Sequence, residues 1–273
     1  QHPPEHFTPW TANPGYKDPI VHHSLVQVAY VCMDTQQQKN GPFSNRTVRQ
    51  AVNYAIDKTA ILQITHGAGV PGNCIYPPDL VGYDASCDPY PHDVEKAKQL
   101  MKDAGFEAGF DTMFYTDTTD PDPQTGASIQ QDLAAIGIRT QIVSQEFATF
   151  LDTIETPHKA PIGWVGWFQD YPDPSDFIDP ILSCASAVKG GANAALYCNK
   201  TVDEMAASAK GETDGAKRIA TYQQIQTAIM ADAPWAPFRH QEWYTLTSKR
   251  VGGFEIHPVW QYDVRSLYIK PGA

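Results

Sequence analysis

Gly163-Trp164-Val165-Gly166-Trp167-Phe168-Gln169-Asp170-Tyr171-Pro172-Asp173-Pro174-Ser175-Asp176-Phe177 is the stretch whose reading decides the fold. Its short apolar run, ending in two tryptophans, reads as a strand, and a loop with three acids and two prolines leads into a helix start. A strand tip that sets an aromatic wall beside a fixed carboxylate suits a ligand cation. Pro172 and Pro174 restrict the backbone, so the acid is presented with little entropy left to lose. The same residues also read as a plain helix-capping loop, with Asp173, Ser175 or Asp176 as the cap and the tryptophans as core. On the stretch alone, both readings stand.

Outward from it, strand and helix patterns alternate. Residues 25–34 are β-rich and read as a strand. Pro42-Phe43-Ser44-Asn45 caps a helix carrying Val48, Ala51, Val52, Ala55 and Ile56 at helical spacing, and Asp57 caps a second, short one. Asp93 opens a further helix that ends before Gly105. Strands at 111–115 and 138–144 enclose a helix at 125–136. Phe147, Phe150, Leu151 and Ile154 mark an amphipathic helix before the strand at 162–167. This alternation is the signature of an α/β layer. Helices dominate 202–231, with Ile219, Tyr222, Ile225 and Ile229 in one stripe, and short β segments are expected at 235–239, 243–247 and 254–256. Residues 1–24 carry Pro3, Pro4, Pro9, Pro14 and Pro19 and read as an irregular leader or hinge remnant.

Composition removes several function classes. A net charge of −11 over 273 residues argues against a nucleic-acid surface, which needs clustered Lys and Arg. No run reaches the roughly 18 apolar residues of a membrane helix. The opening Gln1-His2-Pro3-Pro4, without Met, suggests a processed protein or a fragment. Cys74 and Cys87 flank one surface loop, and Cys184 and Cys198 another. A disulfide would staple each, contributing about 3 kcal/mol in the chain-entropy model, and oxidised loops point to an extracytoplasmic home. Cys32 lies in an apolar run and reads as a buried free thiol. No paired Cys/His spacing marks a metal site, no cofactor motif is present, and the histidines are scattered through polar loops. Asp170, Asp173 and Asp176 lack the glycine and terminal Glu of a calcium loop. Ser186-Ala187-Val188-Lys189 matches S-x-x-K, but without its companion motifs it implies no hydrolase.

Five stretches carry a resemblance to a known family. They are Pro42 to Lys58 (Pro42-Phe43-Ser44-Asn45-Arg46-Thr47-Val48-Arg49-Gln50-Ala51-Val52-Asn53-Tyr54-Ala55-Ile56-Asp57-Lys58), Tyr90 to Leu100 with Ala104-Gly105-Phe106, and Gln130-Gln131-Asp132-Leu133 with Ile136-Gly137-Ile138. The other two are Gly166 to Pro174 and Asp232-Ala233-Pro234-Trp235-Ala236-Pro237. In this order, over residues 25 to 265, the chain resembles the family 5 extracellular solute-binding proteins of ABC importers, the peptide- and nickel-binding family. Family members are about twice this length and close two lobes on a ligand.

The resemblance implies an α/β, periplasmic-binding-protein-like (type II) C-terminal lobe over residues 25–250, a mixed sheet flanked by helices. Residues 251–273 would return toward a missing N-terminal lobe. It implies no enzyme activity and no cofactor, but binding of a di- or oligopeptide whose amino group pairs with Asp170. Trp167 would wall the pocket, adding cation–π attraction of about 0.5–2 kcal/mol, with Tyr171 and Trp164 nearby. Tyr30 and Asp34 are weaker candidates for meeting the peptide backbone. Relatives that bind metal chelates or sugars alter these contacts, so a metal chelate, an oligosaccharide stacked on the two tryptophans, or a sensory module reusing the lobe are the alternatives. The implied partners are the other lobe and a membrane ABC permease, not nucleic acid. The implied form is a monomer in the periplasm or lipid-anchored at the outer face of the cell membrane.

Overall fold

Side-chain caps start several of the helices, at Asn45, Asp57 and Asp93 where the sequence places them and also at Asp214. Asn45 accepts the Thr47 N–H, Asp57 those of Thr59 and Ala60, Asp93 that of Lys96, and Asp214 those of Ala216 and Lys217. Each cap satisfies amides that the first helical turn leaves unpaired. The computed structural model describes residues 20–36, 41–119, 121–257 and 261–271, so most of the expected leader lies outside the described residues. In chain order the elements begin with β1 (Ile20–Ser24), β2 (Gln27–Met33), α1 (Arg46–Ala55), α2 (Lys58–Ile64), β3 (Gly69–Pro71) and α3 (Val94–Asp103). Then come β4 (Phe110–Asp117), α4 (Asp122–Ala135), β5 (Ile138–Gln145), α5 (Phe147–Ile154), β6 (Ile162–Phe168) and one turn of helix, α6 (Asp179–Leu182). The chain continues through α7 (Lys200–Gly211), α8 (Gly215–Asp232), β7 (Trp235–Leu246), β8 (Val251–Gly252), β9 (Ile256–His257), β10 (Gln261–Tyr262) and β11 (Tyr268–Ile269).

One mixed sheet has the order β1-β7-β2-β6-β4-β5, with β3 also on β7. β4 runs parallel to β5 and β6, whereas β2 is antiparallel to both β6 and β7. Two expectations change. Ile20–Ser24, placed in the leader, is a strand paired along β7. The two short segments expected at 235–239 and 243–247 are one twelve-residue strand. Its polar middle stays extended because β7 finds a partner along its whole length: β2 at Trp235–Arg239, β3 at Arg239–Gln241 and β1 at Glu242–Leu246. Paired backbone amides outweigh the weak β-preference of the polar side chains.

Side-chain parity divides the helices between the sheet's two faces. Phe114 pairs with Ile162 and packs under Gly126 of α4, while the next residue, Gly163, turns the other way and meets Ile154 of α5. The α4 crossover therefore carries the chain from β4 to β5 over one face, and α5 returns it past β4 to β6 over the other. Strand order reverses between β4 and β6. Those two strands pair only at Phe114–Ile162 and Tyr115–Gly163. Beyond that point no pairing joins them, and their carboxyl ends form a topological switch point. In open α/β sheets such a switch point is where ligands bind.

Disulfides Cys74–Cys87 and Cys184–Cys198 close the two loops that those cysteines flank. Cys32 is free and buried; its thiol donates to the Gly163 carbonyl at 3.3 Å, and burial pushes its pKa up to about 12. Close packing at Gly163 generates a test. A Cβ there would stand 2.7 Å from Ile154 Cδ1 and 2.9 Å from the Tyr115 carbonyl. Gly163→Ala is expected to lower stability by about 1–3 kcal/mol, read from the urea midpoint.

Candidate functional site

β6 delivers its last residues to this switch point, and the loop that follows carries three carboxylates in three different states. The β2–β6 ladder continues one step past the strand, where the Gln169 N–H donates to the Val26 carbonyl at 2.9 Å. At Asp170 the backbone turns, and its N–H donates to Asp176 Oδ2 at 2.8 Å. The Trp167 indole Nε1–H donates to the same oxygen at 3.3 Å. Asp176 is fully buried, and its other oxygen, Oδ1, has no partner. Burial pushes the Asp176 carboxyl up to about 6; the two N–H bonds oppose this, and the charges of Asp170 and Asp173 add to it.

Asp173 opens a 3-10 turn at Pro174–Phe177 by accepting the Ser175 N–H at 2.9 Å and its hydroxyl at 2.7 Å. It also takes a forked contact from Arg218 of α8, with Nη2 2.8 Å and 2.7 Å from its two oxygens. Burial raises the Asp173 pKa, but the bonds from Arg218 and Ser175 outweigh it and hold the carboxyl below its ordinary range. Asp170 differs from both. Its side chain is exposed and makes no hydrogen bond or ion pair with the described residues. Of the three acids, it alone presents an unengaged carboxylate.

The remaining predicted residues do not gather around it. Trp167 is half-buried beside the loop, and exposed Tyr171 accepts the Ser175 hydroxyl at 3.3 Å. Trp164, three residues before Trp167 on a strand, points to the opposite face, where it is buried edge-to-face with Phe238 at 5.6 Å. The expected wall of two tryptophans is thus a single one. Tyr30 is 1% exposed and stacked on Trp235, ring centroids 3.5 Å apart, so its ring belongs to the core. Asp34 is buried just beyond the opposite end of β2, paired with His158 Nδ1 at 2.8 Å. Seven residues separate it from Gln27, which pairs with Phe168 at the loop, a span of roughly 23 Å at strand rise.

At that far end lies a polar cavity of about 480 Å³ lined by Thr35, Arg49, Tyr197, Asn199 and Asp232. Arg49 spends all three guanidinium nitrogens on the carbonyls of Phe43, Ser44, Asp232 and Ala233. It ties α1 to the end of α8 and offers the cavity little.

A family model described as "Bacterial extracellular solute-binding proteins, family 5 Middle" matches residues 2–189. The chain belongs to family 5 of the bacterial extracellular solute-binding proteins. Members of family 5 are non-enzymatic transport components, periplasmic or extracellular. Among curated relatives, heme-binding protein A of Haemophilus influenzae is 34% identical over 87% of this chain and 43% of its own length. The dipeptide-binding protein of Escherichia coli is 29% identical over 90% of this chain and 46% of its own. A solved periplasmic binding protein, DppA from Helicobacter pylori in complex with the peptide STSA, superposes with a TM-score of 0.88. It is 26% identical, and the match covers 98% of this chain and 52% of that one. The chain thus spans about half the length of its family 5 relatives, as expected for one lobe of two.

Within this family 5 loop, the sequence offers Asp173, Ser175 or Asp176 as the helix cap. The cap is Asp173, and Asp176 instead ties the strand tip to the loop. Arg218 was missed because 45 residues separate it from Asp173, with no local signal to join them. Arg218→Gln is expected to lower stability at pH 7 by about 1–2 kcal/mol, since hydrogen bonds to a charged, partly buried group are lost. Asp173 has a depressed folded-state pKa, so its contribution is present above the ordinary Asp value of about 3.9 and is lost as pH falls through the lower folded value. Melting curves of wild type and variant should therefore converge in acid.

Proposed function

We propose that this lobe binds the amino-terminal ammonium group of a short peptide at Asp170, as half of a site that a second lobe closes. The observation that carries this reading is the single unengaged carboxylate just past the carboxyl end of β6, on a loop whose other two acids are already occupied. An ammonium docking there would gain charge-assisted hydrogen bonds as closure excludes water. Trp167 and Tyr171 flank the position, and Trp164, Tyr30 and Asp34 act as support inside the lobe. Names and titles that refer to dipeptides, di/tripeptides and the peptide STSA support the peptide reading, while that of heme-binding protein A supports the chelate alternative. In the full protein, this lobe would work with an N-terminal lobe, as a monomer, delivering solute to an ABC permease outside the cytoplasm. Lipid anchoring at the membrane face belongs to the same proposal.

Calorimetry on the two-lobed parent chain tests it. Asp170→Ala should weaken binding of a short peptide by about 2 kcal/mol or more, roughly thirty-fold, as expected when one partner of a desolvated charge pair is removed. Acetylating the peptide's amino terminus should give a similar loss. Unchanged affinity in both experiments would exclude the amine contact and return the chelate or sugar readings. The isolated lobe, lacking closure, should bind weakly or not at all; a low-micromolar affinity would contradict the shared-site reading.

A further inference from the structure

Asp176 is the buried group whose role the proposed amine contact leaves unused. Its Oδ2 gathers two donors, the backbone N–H of Asp170 and the indole N–H of Trp167, which are the two residues proposed to meet the ligand. Its Oδ1 is buried with no donor. We infer that Asp176 is the positioning residue of this site and couples ligand binding to a proton: its ionised form holds Asp170 and Trp167 in place, and its protonated form lets them loosen. This rests on the amine reading of Asp170 for its ligand half, whereas the coupling of the loop to a proton stands on the hydrogen bonds alone.

The chemistry follows from the two oxygens. As a carboxylate, Asp176 makes two charge-assisted bonds through Oδ2. A proton would add at Oδ1, the oxygen that lacks a donor. The neutral acid would then be a weaker acceptor for both N–H groups.

Burial, with the surrounding charges adding to it, places this exchange near pH 6. On its own loop, Asp170 and Asp173 repel the ionised form, and Tyr171 is the neighbouring phenol. Across the packing interface, Arg218 of α8 is held by Asp173 and Lys210 of α7 by Asp179 of α6, so each is paired with another carboxylate. Tyr76 and Tyr222 stay neutral because burial raises their pKa values. Among the described residues no cation pairs with Asp176, and burial raises its carboxyl to about 6.

An ammonium at Asp170 would cancel part of the repulsion and favour ionised Asp176. Binding then expels a proton, and by linkage acid weakens binding. If the ligand lowers the Asp176 pKa by about one unit, affinity at pH 5 should be roughly five-fold weaker than at pH 7.5.

The test uses the full-length two-lobed protein with trialanine as probe. Without peptide, the Trp167 indole ¹⁵N–¹H resonance, assigned by Trp167→Phe, should move with pH about a midpoint near 6. In Asp176→Asn, which keeps a carbonyl acceptor but cannot ionise, that titration should vanish. Calorimetry should find the roughly five-fold pH effect in wild type, while Asp176→Asn binds alike at both pH values, at the weaker acid-side affinity. An indole resonance that stays flat between pH 4.5 and 7.5, or a pH dependence retained in Asp176→Asn, would overturn the inference. Absence of trialanine binding at every pH would sink the peptide reading instead, and the indole titration would still decide the role of Asp176.

Discussion

The ladder between β2 and β6 is the constraint on which the rest of this lobe depends. It pairs all seven residues of β6 and extends one hydrogen bond further, to Gln169, whereas β4 leaves β6 after two pairs. One side of β6 is thereby held rigid to its tip while the other side opens. The position of Asp170 and the approach of Asp176 follow from that asymmetry. A site built on a strand end inherits the precision of the sheet, while the loop beyond it needs only short-range bonds to hold its shape.

The loop also illustrates how environment divides one residue type among different tasks. Three aspartates lie within seven residues, yet each meets a different balance of solvation and hydrogen bonding. A guanidinium and a 3-10 turn keep Asp173 ionised as a structural post. Burial against two N–H groups leaves Asp176 poised between charge states. The carboxylate of Asp170 is exposed and unengaged. Spacing cannot reveal this division, because the deciding partners sit on β6 and α8.

Much of the fold was legible because it rests on local rules. Asn45, Asp57 and Asp93 are caps in sequence and in structure, and Gly105 and Gly137 sit at positive φ just past the helices they end. The opposite orientation of Trp164 and Trp167 was also available, since three residues along a strand reverse the face. Continuity of β7 was not legible: its polar centre stays extended only because three separate strands supply partners. The same holds for Tyr30, whose ring is claimed by Trp235 some 200 residues away. At the candidate site, sequence pointed to the loop and, through family resemblance, to Asp170. The burial of Asp176 and its two donors required the chain to be folded.

Cys32 has a consequence for how the two bridges are kept. A thiol attacks a disulfide only as thiolate, and at a pKa of about 12 only about one molecule in 10⁵ carries that form at pH 7. An odd cysteine would ordinarily be a threat to neighbouring bridges, able to shuffle them into mismatched pairs. Held in the sheet against the Gly163 carbonyl, this one is chemically silent once the lobe has folded. Scrambling is then confined to the moments before β2 and β6 come together, so the formation of that ladder protects the covalent pattern as well as fixing the strand tip.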